Sequence, residues 1–176
     1  MTGKRAGSRG PGVSAAPKVR PAETGDIPQL IELNALVQAD HIAAEPAAFK
    51  PSRADEVAAW LADGLASGYL RAWVADGGRQ LAGYVVVRRE ERPEHPLAYT
   101  RTWWEVDQLG VRPEWRRRGV ARALLAAVAA AALDAGVGEL QLTTWSFNTG
   151  AREAWLNLGF EPRITRFAVD PRGLEA

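Results

Sequence analysis

The strand-like run Trp104-Glu105-Val106-Asp107-Gln108-Leu109-Gly110-Val111 leads through a short polar turn to Arg116-Arg117-Arg118-Gly119-Val120-Ala121, where an Ala/Leu-rich helix begins. A helix that opens directly from a glycine-containing loop leaves its first backbone N–H groups unpaired. The positive end of its macrodipole points the same way. Three consecutive arginines add side chains that can grip phosphate oxygens two at a time. Gly119 lets the backbone approach a ligand without a Cβ, and Ala121 keeps the next turn low. These residue types in this order make a pocket for a phosphorylated ligand. The residues alone leave its identity open, and Arg116 to Arg118 taken in isolation equally fit a solvated basic turn.

Such a loop needs a scaffold, and the chain alternates strand-like and helix-like segments with short connections. Lys18 to Pro21 reads as a short strand. Thr24 is placed to cap a helix from about Asp26 to Asp40, with Ile27, Leu30, Ile31, Leu33 and Val37 as its apolar stripe. Ser52 and Asp55 resemble a capping box for a second helix, Arg53 to Ser67, with Val57, Trp60 and Leu61 inward. Leu70 to Ala75 and Gln80 to Arg89 read as strands joined by the turn Asp76-Gly77-Gly78-Arg79. Glu90 to Tyr99 is a loop, and Trp103 to Val111 a strand. Gly119 to Ala135 is a helix stopped by Gly136, Leu140 to Trp145 a strand, Thr149 to Leu158 a helix and Arg163 to Val169 a last strand. The order βααβββαβαβ predicts an α/β fold with a mixed sheet and helices on both faces.

Composition narrows the function classes. The 176 residues, 47% hydrophobic and 24% charged, fit one globular domain with a sizeable core. A net charge of +1 provides no global field for nucleic acid or anionic lipid. The absence of cysteine excludes a thiolate nucleophile and any Cys-based zinc site, and two histidines, His41 and His95, argue against a His-rich metal centre or a serine triad. No metal and no membrane partner are therefore expected, because the longest apolar stretch, around Leu124 to Leu133, is an Ala-rich helix. Met1 to Pro17 is rich in Gly, Ser and Pro and carries Lys4, Arg5 and Arg9 without an acid. It reads as a disordered basic tail, not a signal peptide, since no apolar core follows the charges. The expectation is a cytoplasmic protein with its domain over residues 18–176.

Three motifs carry a resemblance to the GNAT superfamily of acetyl-CoA-dependent N-acetyltransferases. Arg116 to Ala121 fits its signature of Gln or Arg, two residues, Gly, one residue, then Gly or Ala. Asn148, with Ala151 three residues on, fits the Asn that begins the following helix, and Leu158-Gly159-Phe160 fits the Gly-Phe that ends it. Together, at the family spacing and in a matching element order from about Val19 to Val169, they are a specific signal. The resemblance implies a mostly antiparallel sheet of six to seven strands, splayed between the fourth and fifth. It implies acetyl-CoA as co-substrate and a primary amine of a small molecule or protein as acceptor, by direct transfer in a ternary complex. A homodimer through the last strands is in keeping with the family. The other class to weigh is a non-catalytic acyl-CoA-binding or regulatory domain; a nucleic-acid module lacks support, because no long basic face with interleaved aromatics is present.

In that resemblance Arg116, Arg117, Arg118, Gly119, Val120, Ala121 and Arg122 hold the pyrophosphate, and Leu109, Gly110 and Val111 pair with the pantetheine arm. Gly110 is consistent with a bulge at the splay. Asn148 offers an amide to the pantetheine or to water, besides capping its helix. The general base is Glu105 or Asp107. The two lie two apart on a strand and so share a face, and Glu105 ranks slightly first. Each could instead only pair with an arginine such as Arg101. Where many family members carry an acidic tyrosine this chain has Trp155, whose indole cannot deliver a proton at useful pH; Tyr99, Ser146 or water could stand in. Trp155 is also counted with the cofactor-binding residues, and Trp103, Trp104, Trp145 and Trp155, with Asp40, His41 and Glu45, are candidates for the acceptor cleft.

Overall fold

The computed structural model describes residues 16–174. The basic tail lies almost wholly outside the described residues, and Ala16 and Pro17 precede the first strand. The described chain falls into two compact units divided between Thr143 and Thr144.

In the first unit, β1 (Lys18–Pro21), β2 (Leu70–Asp76), β3 (Leu81–Arg92), β4 (Arg101–Val111) and β5 (Leu140–Leu142) form one sheet in the order 1-2-3-4-5. All neighbours are antiparallel except β4 and β5, which run parallel. Helices α1 (Ile27–Ala44) and α2 (Ala54–Ser67) follow β1, and α3 (Val120–Asp134) connects β4 to β5. The sheet has five strands among the described residues, not six or seven. Arg163 to Val169 is not a strand: Ile164 and Phe167 are 87% and 89% exposed. Their spacing of three breaks the period of two that a half-buried strand needs, so no face forms to drive pairing. The strand β5 is likewise shorter than its apolar run, ending at Leu142.

Two apolar layers sandwich the sheet. Leu70, Ala72, Val74, Tyr84 and Val86 pack with Leu30 and Leu33 of α1 and Leu61 of α2 in one buried cluster. By strand alternation Trp73, Val85, Val87, Trp104 and Val106 point the other way, where α3 packs with Val120, Leu124, Val128 and Ala132 buried. Trp104 is 1% exposed, with its ring 6.1 Å from that of Trp73. It is a core residue of the α3 side, which removes it from the acceptor-cleft candidates.

Helix starts differ from the sequence expectations. A 3-10 turn, Thr24–Asp26, precedes α1, and Asp26 stands at its N-cap in place of Thr24. The Ser52–Asp55 box is not made. Arg53 is the N-cap of α2, and its guanidinium donates to both Asp55 oxygens at 3.2 and 2.9 Å, which takes the carboxylate away from the Ser52 side.

Asp26 anchors β1 to α1. Its side chain is 9% exposed, and it accepts a two-pronged bond from Arg20 at 2.7 and 2.9 Å plus the Glu23 N–H at 2.8 Å. The Arg20 hydrogen bonds, reinforced by the Glu23 N–H, hold its carboxyl below the ordinary carboxylate range against the opposing effect of burial. A carboxyl depressed in the folded state stabilises fully above its unfolded value, about 4, and that contribution disappears as pH falls through the folded value. Asp26→Asn should therefore lower unfolding free energy by about 2 kcal/mol at neutral pH. In urea melts the gap to wild type should close on acidification below about pH 4; a gap independent of pH would refute the ion-pair account.

The second unit contains helix α4 (Thr149–Leu158). Asn148 is its N-cap, with Oδ1 accepting the Ala151 N–H at 3.0 Å, and Gly159, at φ +99°, closes its end.

Candidate functional site

The loop between β4 and α3 is pinned at its start. Arg112 donates from Nε to the Leu81 carbonyl at 2.9 Å and from its other end to Glu32 at 2.7 Å, tying the end of β4 to β3 and α1. A 3-10 turn, Pro113–Trp115, then buries the Trp115 ring. Arg116 donates to the Val111 carbonyl at 3.2 Å, and the Arg118 guanidinium lies 5.6 Å from the centre of the Trp115 ring. Arg117 adopts φ +62° and Gly119 φ +79°, two left-handed turns that swing the backbone into the start of α3. The first bond of that helix is Ala123 N–H to the Gly119 carbonyl at 3.0 Å, so the preceding N–H groups have no acceptor within the helix. Arg116 to Gly119 are exposed, Val120 is buried beneath them, and nothing lies within 4 Å of where a Gly119 Cβ would stand. The loop is an exposed turn that carries backbone N–H donors and three arginines.

On β4 the alternation is interrupted. Val86 pairs with Gln108 and Val87 with Val106, so Asp107 is an extra residue, a β-bulge. The bulge is at Asp107 and not at Gly110. Gly110 serves close packing instead: a Cβ there would stand 2.6 Å from Tyr84 Cε1 and 2.9 Å from Val37 Cγ2. Simple two-residue spacing therefore does not place Glu105 and Asp107 together. Glu105 pairs with Arg88, two residues from Val86, so Glu105 and Gln108 share the face covered by α1 and α2. Asp107 turns its carboxylate to the same arginine, accepting from Arg88 Nε at 3.2 Å, while Arg88 also pairs with Glu90.

The two candidate bases thus have different surroundings. Glu105 accepts from the Trp103 indole N–H at 3.1 Å and from the Thr143 hydroxyl at 3.3 Å, both neutral donors. Asp107 is held by a cation. Arg101 pairs with neither, because it donates to Glu139 at 2.7 Å.

Beyond the bulge, a polar cluster that sequence reasoning missed joins the helices to the sheet. Gln108 Oε1 accepts from Asn34 Nδ2 at 2.9 Å and from the Tyr84 hydroxyl at 2.8 Å. Burial pushes the Tyr84 phenol well above its ordinary range, so it stays protonated and donates. Asn34, Gln38, Ser52, Val57, Trp60 and Gln108 line a cleft of about 200 Å³ that opens to solvent. Trp60, expected inward, is 37% exposed there. The bulge hid Gln108, because strict alternation assigns it to the opposite face.

On its other edge β4 meets β5 only over Trp104–Val106. The stretch from Asp107 through Leu109 and Gly110 to Val111 has no strand on that side among the described residues. His41 Nδ1 bonds the Val37 carbonyl of its own helix at 2.9 Å, and its ring lies 4.9 Å from that of Phe49. In the second unit the Trp155 ring packs edge-on against Phe160 at 5.7 Å, and Trp145 stacks on Phe147 at 6.0 Å. Among the described residues no group of His, Asp or Glu is arranged to hold a metal ion, and no helix is long and apolar enough to cross a membrane.

The model of the acetyltransferase (GNAT) family matches residues 34–160, a span that contains the bulged strand, the loop and α4. The chain belongs to the GNAT acetyltransferase family. Over 95 residues it is 30% identical to N-acetyltransferase 8F1 of Rattus norvegicus, covering 54% of this chain and 41% of that protein. The chain thus matches less than half the length of that relative. The GNAT fold is shared with the tetramutant of the BH1408 protein from Bacillus halodurans, at a TM-score of 0.77 and 18% identity over 87% of this chain and 99% of that one. It is shared also with a predicted acetyltransferase from Clostridium acetobutylicum solved with acetyl-CoA, at a TM-score of 0.66 and 16% identity over 90% and 99% of the two chains. At those identities the likeness is one of fold.

Proposed function

We propose that the protein is an acetyl-CoA-dependent N-acetyltransferase acting on a primary amine of a small molecule or protein by direct transfer in a ternary complex. The observation that carries this reading is the loop: exposed Arg116 to Arg118, the left-handed Gly119 with open space above it, and first-turn N–H groups of α3 that have no acceptor within the helix. A pyrophosphate needs many donors and no base recognition, and that is what these residues offer. Arg122, on the first turn of α3, extends the same basic rim. The unpaired edge of β4 at Leu109, Gly110 and Val111 suits an amide-bearing arm laid alongside it in place of a strand. Asn148, whose Oδ1 caps α4, keeps its amide N–H₂ as a donor for a ligand or a water.

Acetyl-CoA would supply an activated thioester; the chain must supply a neutral amine. Freeing the lone pair of an alkylammonium at pH 7 costs about 4–5 kcal/mol. Glu105 is the group for that proton. Its carboxylate meets only neutral donors and stays available to a cationic amine, whereas the Asp107 carboxylate is already engaged by the Arg88 guanidinium. Asp107 is assigned to holding Arg88 and the bulge. No tyrosine acid stands at Trp155, and none is required for turnover, because a departing thiolate at pH 7 is only about 2 kcal/mol above its thiol.

The test is calorimetric titration with acetyl-CoA alongside thiol release across a panel of amines. Micromolar binding with release dependent on amine is expected. Binding without release from any amine would leave an acyl-CoA-binding domain, and no binding would end the reading.

A further inference from the structure

The cleft beside Gln108 has a defined hydrogen-bonding polarity. Gln108 Oε1 takes donors from both Asn34 and Tyr84, which uses both lone pairs of that oxygen. The amide thus stands with Nε2 turned away from the pair, and that nitrogen has no acceptor among the described residues. The cleft it lines contains Asn34, Gln38, Ser52, Val57 and Trp60 and carries no charge. At about 200 Å³ it is below the usual size of a drug-like ligand site and admits a small moiety. Because of the bulge, Gln108 sits one same-face step, roughly 7 Å along the strand, from Glu105.

We propose that Gln108 recognises the acceptor by donating from Nε2 to a carbonyl oxygen that the amine substrate carries, so that the acceptor is an amino acid or, better, its uncharged amide. Asn34 and Tyr84 are positioning residues that hold the donor outward. A bare alkylamine leaves Nε2 unsatisfied in a half-buried cleft. A polyamine or aminoglycoside would call for carboxylates, and the lining has none. A carbonyl oxygen accepts without needing a donor in return, and the exposed face of Trp60 covers a small side chain beside it. An uncharged lining favours the amide over the carboxylate. The proposal rests on the acetyl-transfer reading for its reaction, though not for its binding chemistry.

Two measurements on the full chain test it. In the first, kcat/KM is compared for alaninamide, alanine and propylamine in wild type, Gln108→Glu and Tyr84→Phe. Gln108→Glu keeps an oxygen for Asn34 and Tyr84 but replaces the outward donor by an acceptor. The alaninamide-to-propylamine ratio should fall roughly tenfold in Gln108→Glu and by a smaller factor in Tyr84→Phe. Comparing ratios between variants cancels the different basicities of the two amines and any general loss of fold. Alanine should fall between the two if charge in the cleft is the penalty, and above alaninamide if the carboxylate is the true ligand group. The second measurement follows the Gln108 side-chain amide by nitrogen-15 NMR during alaninamide titration, with and without coenzyme A. Its resonances should shift, and propylamine should not move them. An unchanged ratio in Gln108→Glu, or a Gln108 amide that alaninamide does not move, overturns the proposal. A shifted amide in a protein that transfers to no amine would overturn the acetyl-transfer reading and leave the recognition standing.

Discussion

Glu105→Gln should lower the rate of acetyl transfer at pH 7 by roughly 10²-fold, within the range that a positioned general base contributes, while acetyl-CoA binds within about twofold of wild type. Glutamine is nearly isosteric: its carbonyl oxygen can keep the Trp103 indole N–H while its N–H₂ donates to the Thr143 hydroxyl oxygen. What it loses is basicity. The residual rate should rise about tenfold per pH unit below the amine's own pKa, because solvent must then remove the proton and the free-amine fraction alone sets the rate. Asp107→Asn provides the contrast. It weakens one contact of Arg88, which keeps Glu90, and a rate within a few-fold of wild type is expected. Thiol release measured from pH 6 to 10 decides between the two. A Glu105→Gln enzyme with wild-type rate and pH profile removes Glu105 from the mechanism.

Gly119→Glu should reduce acetyl-CoA affinity by at least roughly 100-fold, about 2.7 kcal/mol. Two effects act together. At φ +79° any Cβ is strained, on the order of 1–2 kcal/mol. The carboxylate also enters the open space where pyrophosphate would take the N–H donors and arginines. Gly119→Ala separates the two. Nothing crowds the added methyl, so alanine carries the backbone cost without the charge and should lose far less affinity. Calorimetry on both variants, with thermal melts to confirm folding, is the measurement. Equal loss in both would mean that strain, not anion exclusion, controls the loop, and wild-type affinity in Gly119→Glu would place the cofactor elsewhere.

Much of the scaffold was legible in the sequence because its signals are local. Helix α4 lies within the limits that Asn148 and Gly159 mark, and α3 starts after Gly119 and ends just before Gly136. The loop was legible because glycine and arginine chemistry sits in six consecutive residues. What stayed hidden depends on partners distant in the chain. Arg163 to Val169 has strand-like composition and no ladder. Trp104 shows the same residue type as Trp103, yet one is core and the other touches Glu105, a difference set by the sheet face. Asn34, Tyr84 and Gln108 are far apart in sequence and ordinary in type. Only the packing of α1 on β3 and β4 brings them together.

The bulge at Asp107 has a consequence for how this chain can change over time. A substitution in β4 alters one side chain, whereas loss of one residue there alters the phase of the whole strand. Without Asp107, strict alternation would return, and Glu105 and Gln108, then two positions apart in sequence, would keep their common face. Loss of Val106, with the bulge retained, would send one of them to the α3 side. The proton-removing group and the recognition group are thus coupled by counting, not by contact. Length changes in this strand should be rarer than replacements, and grafting β4 from a relative with a different bulge position should disconnect the two even when every residue type is matched.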